Sequence, residues 1–485
     1  MVGEVKQRSN CTDYLEAFGL RRHRLDAEVI VVGAGPGGAS AAYHLARRGR
    51  HVLLLDRETF PRDKSCGDGL TRATVRLLAE MGVLPHLGEC QRVRGVQVFM
   101  RGKGSRTFEY PIGLTEPNSG MVLPRLDLDA AICRHAVAAG AELWEEALVT
   151  GLIRADGTVV GVEIIHRGER KRLHAPVVVA ADGAASRLAR QAGLVVTSPE
   201  CRGFAIRGYY TDIEGLTELL EIYTPMLDPT DRYLLPSYGW VFPTGPTSAN
   251  VGLGLFQRER GANVRELFKR FLDTLRQEDP RFARAQLCSA WRGAPLRFDF
   301  APERCAAPGL LLVGDAAGMI SPFTGEGISY AIESGKLAAE AIDRQLWPEM
   351  AGPPDLSEYK ALLEKSHAGY FEAGRRSARR YLLNWHVLDS TFHNEKPLFA
   401  ICREALLFPE GVGESYASAT LDDVGPLIAG HALGVRADLL AISEVLIDTV
   451  RRDWPFLARL STVGHTTPGI PFRPALLMLL AGHVA

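Results

Sequence analysis

The segment Glu28-Val-Ile-Val-Val-Gly-Ala-Gly-Pro-Gly-Gly38 decides the fold of this chain of 485 residues. Its apolar start is typical of a parallel strand that is buried on both faces. In the loop that follows, Gly33 permits a tight turn, Gly35 lets the backbone approach a pyrophosphate, and Gly38 lets a helix pack closely on the strand. The helix predicted over residues 39–48 presents free N–H groups to those phosphates.

A second buried strand follows in His51-Val-Leu-Leu-Leu-Asp56. Asp56 lies about 20 residues after the loop, where a carboxylate accepts hydrogen bonds from ribose hydroxyls. Arg57, the next residue, is a further candidate for contact with a cofactor. The order strand, glycine loop, helix, strand and acid therefore predicts a dinucleotide-binding domain.

Two later strands also end in an acid, in Val177-Val-Val-Ala-Ala-Asp182 and in Leu310-Leu-Leu-Val-Gly314-Asp315. Asp315 can hydrogen-bond ribityl or ribose hydroxyls, although each of these acids, taken alone, is also explained as a turn cap. The turn Gly325-Glu-Gly327-Ile328 then opens a helix predicted over residues 329–344. The first amides of that helix can face the negative charge on N1 and O2 of a reduced flavin.

The glycine loop, the Asp182 turn and the Gly314-Asp315 turn together resemble the class of flavoproteins built like para-hydroxybenzoate hydroxylase. The resemblance covers residues 27–345 and implies FAD as the cofactor. It also implies that Arg125, in Leu123-Pro-Arg-Leu-Asp127, matches the arginine that contacts the cofactor in that class.

Two further stretches, Cys66-Gly-Asp-Gly-Leu70 and Tyr238-Gly-Trp-Val-Phe-Pro243, resemble the geranylgeranyl reductase family and its bacterial menaquinone-reducing relatives. The resemblance implies that Cys66 and Gly67 lie near the flavin ring and that the aromatic strand lines a prenyl pocket. One detail departs from the family. Its longer motif has a proline three residues before the tyrosine, whereas Pro236 lies two residues before it.

The aromatic strand predicts a pocket even without the family. Tyr238, Trp240 and Phe242 point to one face, since side chains alternate along a strand. If Gly252 and Gly254 of the next strand lie opposite these rings, an apolar groove is left for a hydrocarbon tail. An ordinary aromatic sheet face packed in the core is the alternative.

Saturation of an isolated prenyl double bond needs a hydride, which reduced FAD supplies from N5, and a proton. Cys66, whose thiol is ordinarily protonated at neutral pH, is the candidate proton donor or relay. Tyr238 and Trp240 are candidates for stabilising transient positive charge through their ring faces. The alternative for Cys66 is a small residue that fills a glycine-rich turn.

The composition excludes several classes of protein. A net charge of −1 does not favour nucleic-acid binding. The eight cysteines form no Cys-x-x-Cys pair, and no His/Cys spacing resembles a metal site, so no metal is expected. The first residues lack the apolar h-region that is typical of a signal peptide, and no segment approaches the ~20 apolar residues that cross a bilayer. We expect a cytoplasmic protein that at most contacts a membrane peripherally.

The predicted fold class is α/β, with three parts. A discontinuous Rossmann-like FAD-binding domain takes residues 27–95, 120–200 and 301–346. An inserted, strand-rich substrate domain with an antiparallel sheet takes residues 96–119 and 201–300. A mostly helical C-terminal domain takes residues 347–485, following the proline-rich break at 347–354.

A prenyl reductase is the favoured function. An FAD-dependent monooxygenase of an aromatic, polyketide or terpenoid substrate is the alternative, because it shares every FAD motif. A flavin-dependent halogenase would require Trp in place of Tyr238 and Ile in place of Phe242. A non-catalytic prenyl carrier is disfavoured by the intact glycine loop.

The chain shows no second dinucleotide loop. The electron donor is therefore expected to be a transiently bound NADPH or a ferredoxin. A stretch near the C-terminus, Gly469-Ile-Pro-Phe-Arg-Pro-Ala-Leu, resembles the early Arg-Pro-x-Leu helix of trans-prenyl diphosphate synthases. It raises the hypothesis of a fused or partner synthase.

Overall fold

The computed structural model describes residues 25–101, 104–110, 117–196, 198–224, 226–227, 233–234, 237–256, 263–322, 324–346, 353–371 and 375. The helices are α1 Pro36–Ala46, α2 Arg72–Met81, α3 Arg125–Ala138, α4 Arg187–Gln191, α5 Val264–Glu278, α6 Ile328–Gln345 and α7 Ser357–Leu363. The strands are β1 Val29–Val32, β2 Val52–Leu55, β3 Gly69–Leu70, β4 Gln91–Val93, β5 Gly95–Met100, β6 Gly104–Glu109, β7 Gly120–Val122, β8 Glu142–Trp144, β9 Ala147–Ala155, β10 Thr158–His166, β11 Glu169–His174, β12 Val177–Ala180, β13 Arg202–Thr211, β14 Leu219–Thr224, β15 Met226–Leu227, β16 Tyr233–Leu234, β17 Ser237–Pro243, β18 Ala249–Leu255, β19 Gln286–Leu287, β20 Arg292–Arg297, β21 Ala306–Ala307 and β22 Leu310–Leu312.

The parallel sheet expected from the sequence has the order β21-β22-β12-β1-β2-β8, in which only the edge strand β21 runs antiparallel to its neighbour. Strand β1 lies at its centre, with Val29 opposite Val177 of β12 and opposite Val52 of β2. Every residue of these three strands is buried, because helix α1 covers one face of the sheet and the antiparallel sheet β11-β10-β9 packs on the other. Helices α1 and α6 pack closely on one another, and the Cβ that Gly335 lacks would lie 2.3 Å from the carbonyl oxygen of Gly37. The predicted α/β, Rossmann-like fold class is confirmed.

A second, larger sheet has the order β19-β13-β18-β17-β14-β5-β6, and β20 pairs with β13. Its strands come from two separate stretches of the chain, residues 95–109 and 202–297. Most neighbours are antiparallel, but β14 and β5, which come from the two different stretches, are parallel. The large sheet therefore joins segments that are far apart in sequence.

One face of the large sheet carries a helix that the strand-rich pattern did not predict. Helix α5 begins after Asn263, whose side chain accepts a hydrogen bond from the Glu266 amide. Its buried side chains are Leu267, Phe268, Phe271, Leu272 and Leu275. Phe271 lies so close to Gly239 that a Cβ there would be 2.6 Å from its ring. Since α5 covers this face, the opposite face of β17 is left for the site.

A small sheet, β3-β7-β4, positions the loop that carries Cys66. Gly69 pairs with Val122 and Leu70 with Met121. The Leu123 amide also donates to the carbonyl oxygen of Asp68. The loop that ends in Leu70 is thereby fixed against the start of α3.

The predicted C-terminal domain lies mostly outside the described residues. Within them, α7 is followed by a π-helical turn at Glu364–Ala368. The rest of this domain, which includes the stretch that begins at Gly469, lies outside the described residues, so the predicted helical content and the synthase hypothesis stay predictions.

Candidate active site

A cavity of about 1230 Å³ opens where the parallel strands end. Gly33, Asp56, Asp182 and Asp315 line it, and each follows the carboxyl end of a different strand of the parallel sheet. Ligands of open α/β sheets bind at this edge. The far wall of the cavity comes from the large sheet, so the cavity lies between the two sheets.

The structure brings nearly all of the predicted site residues to this one cavity. Of the predicted site residues, only Gly38 and Gly314 do not line the cavity. The residues that line it are Gly33, Gly35, Asp56, Arg57, Cys66, Gly67, Arg125, Asp182, Tyr238, Trp240, Phe242, Asp315, Gly325, Gly327 and Ile328.

The glycine loop has the close approaches expected of a nucleotide cradle. Gly33 has φ +100°, and a Cβ there would lie 2.4 Å from the carbonyl oxygen of Ala181. A Cβ on Gly38 would lie 1.8 Å from the carbonyl oxygen of Gly33. Gly35 differs, because the nearest atom to its Cβ position is Nη2 of Arg62 at 3.7 Å. The space beside Gly35 is open cavity, as a bound pyrophosphate requires.

Asp56 is buried beside this loop. Its Oδ2 accepts a hydrogen bond of 2.8 Å from the Ala34 amide, and its Oδ1 accepts one of 3.0 Å from the Glu58 amide. Arg62 lies 3.8 Å from Oδ2. Arg57, by contrast, is largely exposed and pairs with Glu58. Asp56 is thus held in place by these bonds, whereas Arg57 lies at the exposed rim of the cavity.

The Asp182 turn is the helix cap that was considered for it and remains a candidate contact for the cofactor. Its Oδ2 caps α4 by accepting from the amides of Arg187 and Leu188. Its Oδ1 is buried and finds no hydrogen-bond partner among the described residues. A buried carboxylate oxygen without a donor is costly, and a cofactor hydroxyl or amine is a group that satisfies it.

Asp315 and the turn before α6 also line the cavity, and Asp315 pairs with the segment that leads into the Cys66 loop. Lys64 Nζ lies 3.2 Å from Asp315 Oδ2. Gly327 is the N-cap residue of α6, and Ile328 is the first residue of that helix. Gly314 has φ +55° and packs on Ala331, so its role is to fit the strand end against α6. The open space at Gly35, the unpartnered Asp182 oxygen and the α6 amides together fit FAD.

Arg125 is buried at the start of α3. Its Nε and Nη2 bind both carboxylate oxygens of Asp129, at 2.6 and 2.8 Å. Asp129 is fully buried and also accepts from Arg62 at 2.7 Å. Arg125 also lies against the Cys66 sulfur, where its charge lowers the pKa of the thiol. Burial is the larger influence and raises the pKa of Cys66 overall, which favours the protonated thiol.

The aromatic strand and the Cys66 loop converge. Added Cβ atoms at Gly67 and at Gly69 would each lie 3.2 Å from the ring of Phe242. The Gly67 position is also 3.4 Å from Trp240. Tyr238 donates a hydrogen bond of 2.8 Å to the carbonyl oxygen of Thr324, in the turn before α6. The aromatic face of β17 therefore joins the thiol loop to the α6 turn.

The predicted groove opposite the rings is only half right. Tyr238 pairs with Gly254 and Trp240 with Gly252, as a groove requires. However, the indole of Trp240 lies over Gly252, where an added Cβ would be 2.1 Å from Cζ2. Space remains at Gly254, which lines the cavity and whose Cβ position has its nearest neighbours, in the rings of Phe256 and Trp240, at 3.8 Å. Trp240 fills its own part of the groove because its Nε1 is fixed by Asn250 at 2.9 Å.

These two glycines give a matched pair of variants. Gly252→Ala is expected to lower the free energy of unfolding by about 2–4 kcal/mol, because the indole and the Ile206 carbonyl leave no room for a methyl group. Gly254→Ala is expected to change it by less than about 1 kcal/mol, because its Cβ enters open cavity. Urea unfolding of both variants measures the difference, and equal losses would contradict this packing.

Sequence reasoning missed three polar residues of the site. Asp68 Oδ2 accepts from the Tyr209 hydroxyl at 2.5 Å and from Asn250 Nδ2 at 2.8 Å. Asn250 Nδ2 also donates to the carbonyl oxygen of Cys66 at 2.7 Å. The available signal was Asn250 itself, a polar residue in the otherwise apolar and fully buried run of β18. Nothing local indicated Tyr209, which reaches Asp68 across 141 positions of sequence.

The remaining wall is apolar and belongs to β5 and β14. Val96, Val98, Leu220 and Ile222 line the cavity next to Phe242.

The described residues contain no cluster of side chains able to hold a metal ion. Nor do they include a helix with the length and apolar character needed to cross a bilayer.

Comparisons with known proteins agree with this site. The FAD binding domain family matches residues 26–342. Menaquinone reductase of Mycobacterium tuberculosis is 36% identical over 346 residues, covering 67% of this chain and 79% of the relative. Digeranylgeranylglycerophospholipid reductase of Methanosarcina mazei is 32% identical over 323 residues, covering 65% and 74%. The crystal structure of a geranylgeranyl bacteriochlorophyll reductase-like protein from Thermoplasma acidophilum shares the fold, with TM-score 0.66 at 24% identity, covering 82% of this chain and 98% of that one.

Proposed function

Because this chain belongs to the FAD binding domain family and, within it, to the geranylgeranyl reductases, we propose that it saturates carbon–carbon double bonds in the prenyl chain of a lipid or quinone. The relatives named as menaquinone and prenyl-lipid reductases support a substrate of that kind. Fold alone would not support it, because one flavoprotein fold hosts many activities.

The observation that carries the proposal is the meeting of three features at one cavity. The nucleotide cradle, the Cys66 loop and the aromatic face of β17 all line it, and the last two lie against one another. The apolar wall of β5 and β14 continues from Phe242. An apolar channel beside a flavin site suits a flexible hydrocarbon chain, and its walls keep water away from the reacting carbons.

FAD, when bound and reduced, supplies the hydride for one alkene carbon. Cys66 donates the proton to the neighbouring carbon from Sγ, so the double bond gains two hydrogens and the sulfur becomes a thiolate. Burial keeps that thiol protonated at neutral pH. The ring faces of Tyr238 and Trp240 stabilise the positive charge that develops on carbon as the proton arrives.

An anaerobic assay tests the function. The purified protein with bound FAD is reduced by dithionite and incubated with menaquinone and geranylgeranyl substrates. The masses of the products are then measured by mass spectrometry. We expect a gain of two hydrogens for each bond reduced. Products that appear only with oxygen and carry an added oxygen atom would identify the protein as a monooxygenase instead. A yellow protein that alters no substrate would favour the non-catalytic carrier.

The same assay identifies the electron donor, because NADPH or a reduced ferredoxin can replace dithionite. Peripheral contact with a membrane, which a lipid substrate favours, is tested by sedimentation with lipid vesicles.

A further inference from the structure

Asp68 is a fully buried acid that lines the cavity in the left-handed conformation, with φ 65°. The hydrogen bonds to its side chain come from neutral groups, the Tyr209 hydroxyl and the Asn250 amide, together with the Arg125 backbone amide at 3.2 Å. A buried carboxylate lowers the stability of the folded protein unless it is well paired. We therefore expect Asp68 to have a role besides forming the turn.

Cys66 has both this carboxylate and a cation as neighbours. The Asp68 amide donates to the Cys66 sulfur at 3.4 Å, and Asn250 bridges the Cys66 carbonyl to the Asp68 side chain. The cation is Arg125, which also contacts the sulfur and whose charge is balanced by Asp129 at 2.6 Å. The two charges act on the thiol in opposite directions, since a carboxylate opposes a thiolate and a guanidinium favours it.

Resting on the proposed function, we propose that Asp68 is a positioning residue. Its negative charge disfavours the Cys66 thiolate, so that the sulfur takes up a proton after each turnover and keeps it until the next. After Cys66 gives its proton to the alkene carbon, the thiolate is stabilised by Arg125 but repelled by Asp68. A proton from the solvent then restores the thiol, and the next substrate meets a loaded donor.

The charge needed for this role is present at neutral pH. Burial raises the pKa of Asp68 to about 6, while the bonds from Tyr209 and Asn250 oppose that rise. The carboxyl is therefore ionised above about pH 6, and its charge raises the pKa of Cys66 in addition to the effect of burial. Other charged groups near the pair are Arg207, which pairs with Asp63, the Arg125–Asp129 pair, and Lys64, which pairs with Asp315.

Asp68→Asn removes the charge and keeps the shape, and asparagine tolerates this backbone conformation. The test is the rate of alkylation of Cys66 against pH in the FAD-bound protein, measured by peptide mass spectrometry. The exposed Cys288 is the internal reference. We expect Cys66 of the variant to react at least about tenfold faster at pH 8, because more of it is thiolate, while Cys288 is unchanged. The alkaline limb of turnover should move to lower pH as well, because only the thiol donates.

Tyr209→Phe is the matched control, because it removes a hydrogen bond from the same network and leaves the Asp68 charge in place. We expect its Cys66 alkylation profile to stay within about twofold of the wild type, since Asp68 is still ionised at pH 8. An unchanged profile in Asp68→Asn overturns the proposal. Equal acceleration in both variants also overturns it, because a loosened loop would then be the cause. Neither result depends on alkene reduction, so the proposed function is tested separately.

Discussion

Gly38→Ala is expected to abolish FAD binding and to destabilise the protein even without FAD. The added methyl carbon would lie 1.8 Å from the carbonyl oxygen of Gly33 and 2.9 Å from Cβ of Ala181. The first of these neighbours is backbone, so α1 must move away from β1 as a unit. We expect the flavin content to fall at least about tenfold and the free energy of unfolding of the flavin-free protein to fall by about 3 kcal/mol or more.

Gly35→Ala separates the cofactor from the fold. Its methyl group would have Nη2 of Arg62 as its nearest neighbour, at 3.7 Å, so the flavin-free protein should lose less than about 1 kcal/mol. The methyl group would instead occupy the cavity beside the loop, where the pyrophosphate is expected, so flavin content should fall as in Gly38→Ala. Flavin absorbance per protein and urea unfolding measure the two effects. Full flavin content in Gly35→Ala would place the phosphates elsewhere.

Cys66→Ala is expected to reduce turnover by about 10²–10⁴-fold, the usual contribution of a positioned acid. Flavin content should change little, because the residues of the nucleotide cradle, Gly33, Gly35 and Asp56, are unaltered. Cys66→Ser should lose nearly as much activity, since a serine hydroxyl is a far weaker acid than a thiol. The measurement is the single-turnover rate of alkene reduction by the dithionite-reduced protein.

Cys288→Ser is the control for this experiment, because it removes an exposed thiol and should keep full activity. Full turnover by Cys66→Ala would rule out the proton-donor role and leave Cys66 as a residue that fills its turn. The flavoprotein assignment does not depend on that result.

The sequence by itself determined the parallel sheet and its glycine loop. The buried runs of β1, β2, β12 and β22 are local patterns, and a continuous apolar run of this length has few structural solutions. The aromatic strand was predictable for the same reason, because alternation along one strand places Tyr238, Trp240 and Phe242 on one face whatever lies nearby.

Only the tertiary structure decided what that face meets. The pairing of Trp240 with Gly252 is a matter of register, and register is set by strands that are distant in sequence. The indole therefore covers a glycine that the sequence pattern had left as open groove. Helix α5, within a stretch that otherwise forms strands, likewise depends on the sheet it covers.

The same limit applies to the chemistry of Cys66. A sequence shows that a thiol is present, but burial and nearby charges set its pKa. Both depend on which side chains pack around the thiol in the folded protein. Tyr209 and Asn250 reach Asp68 from β13 and β18, and Arg125 reaches the sulfur from α3. Local patterns fix strands and turns because their causes are local, whereas the site arises from contacts between elements that only folding brings together.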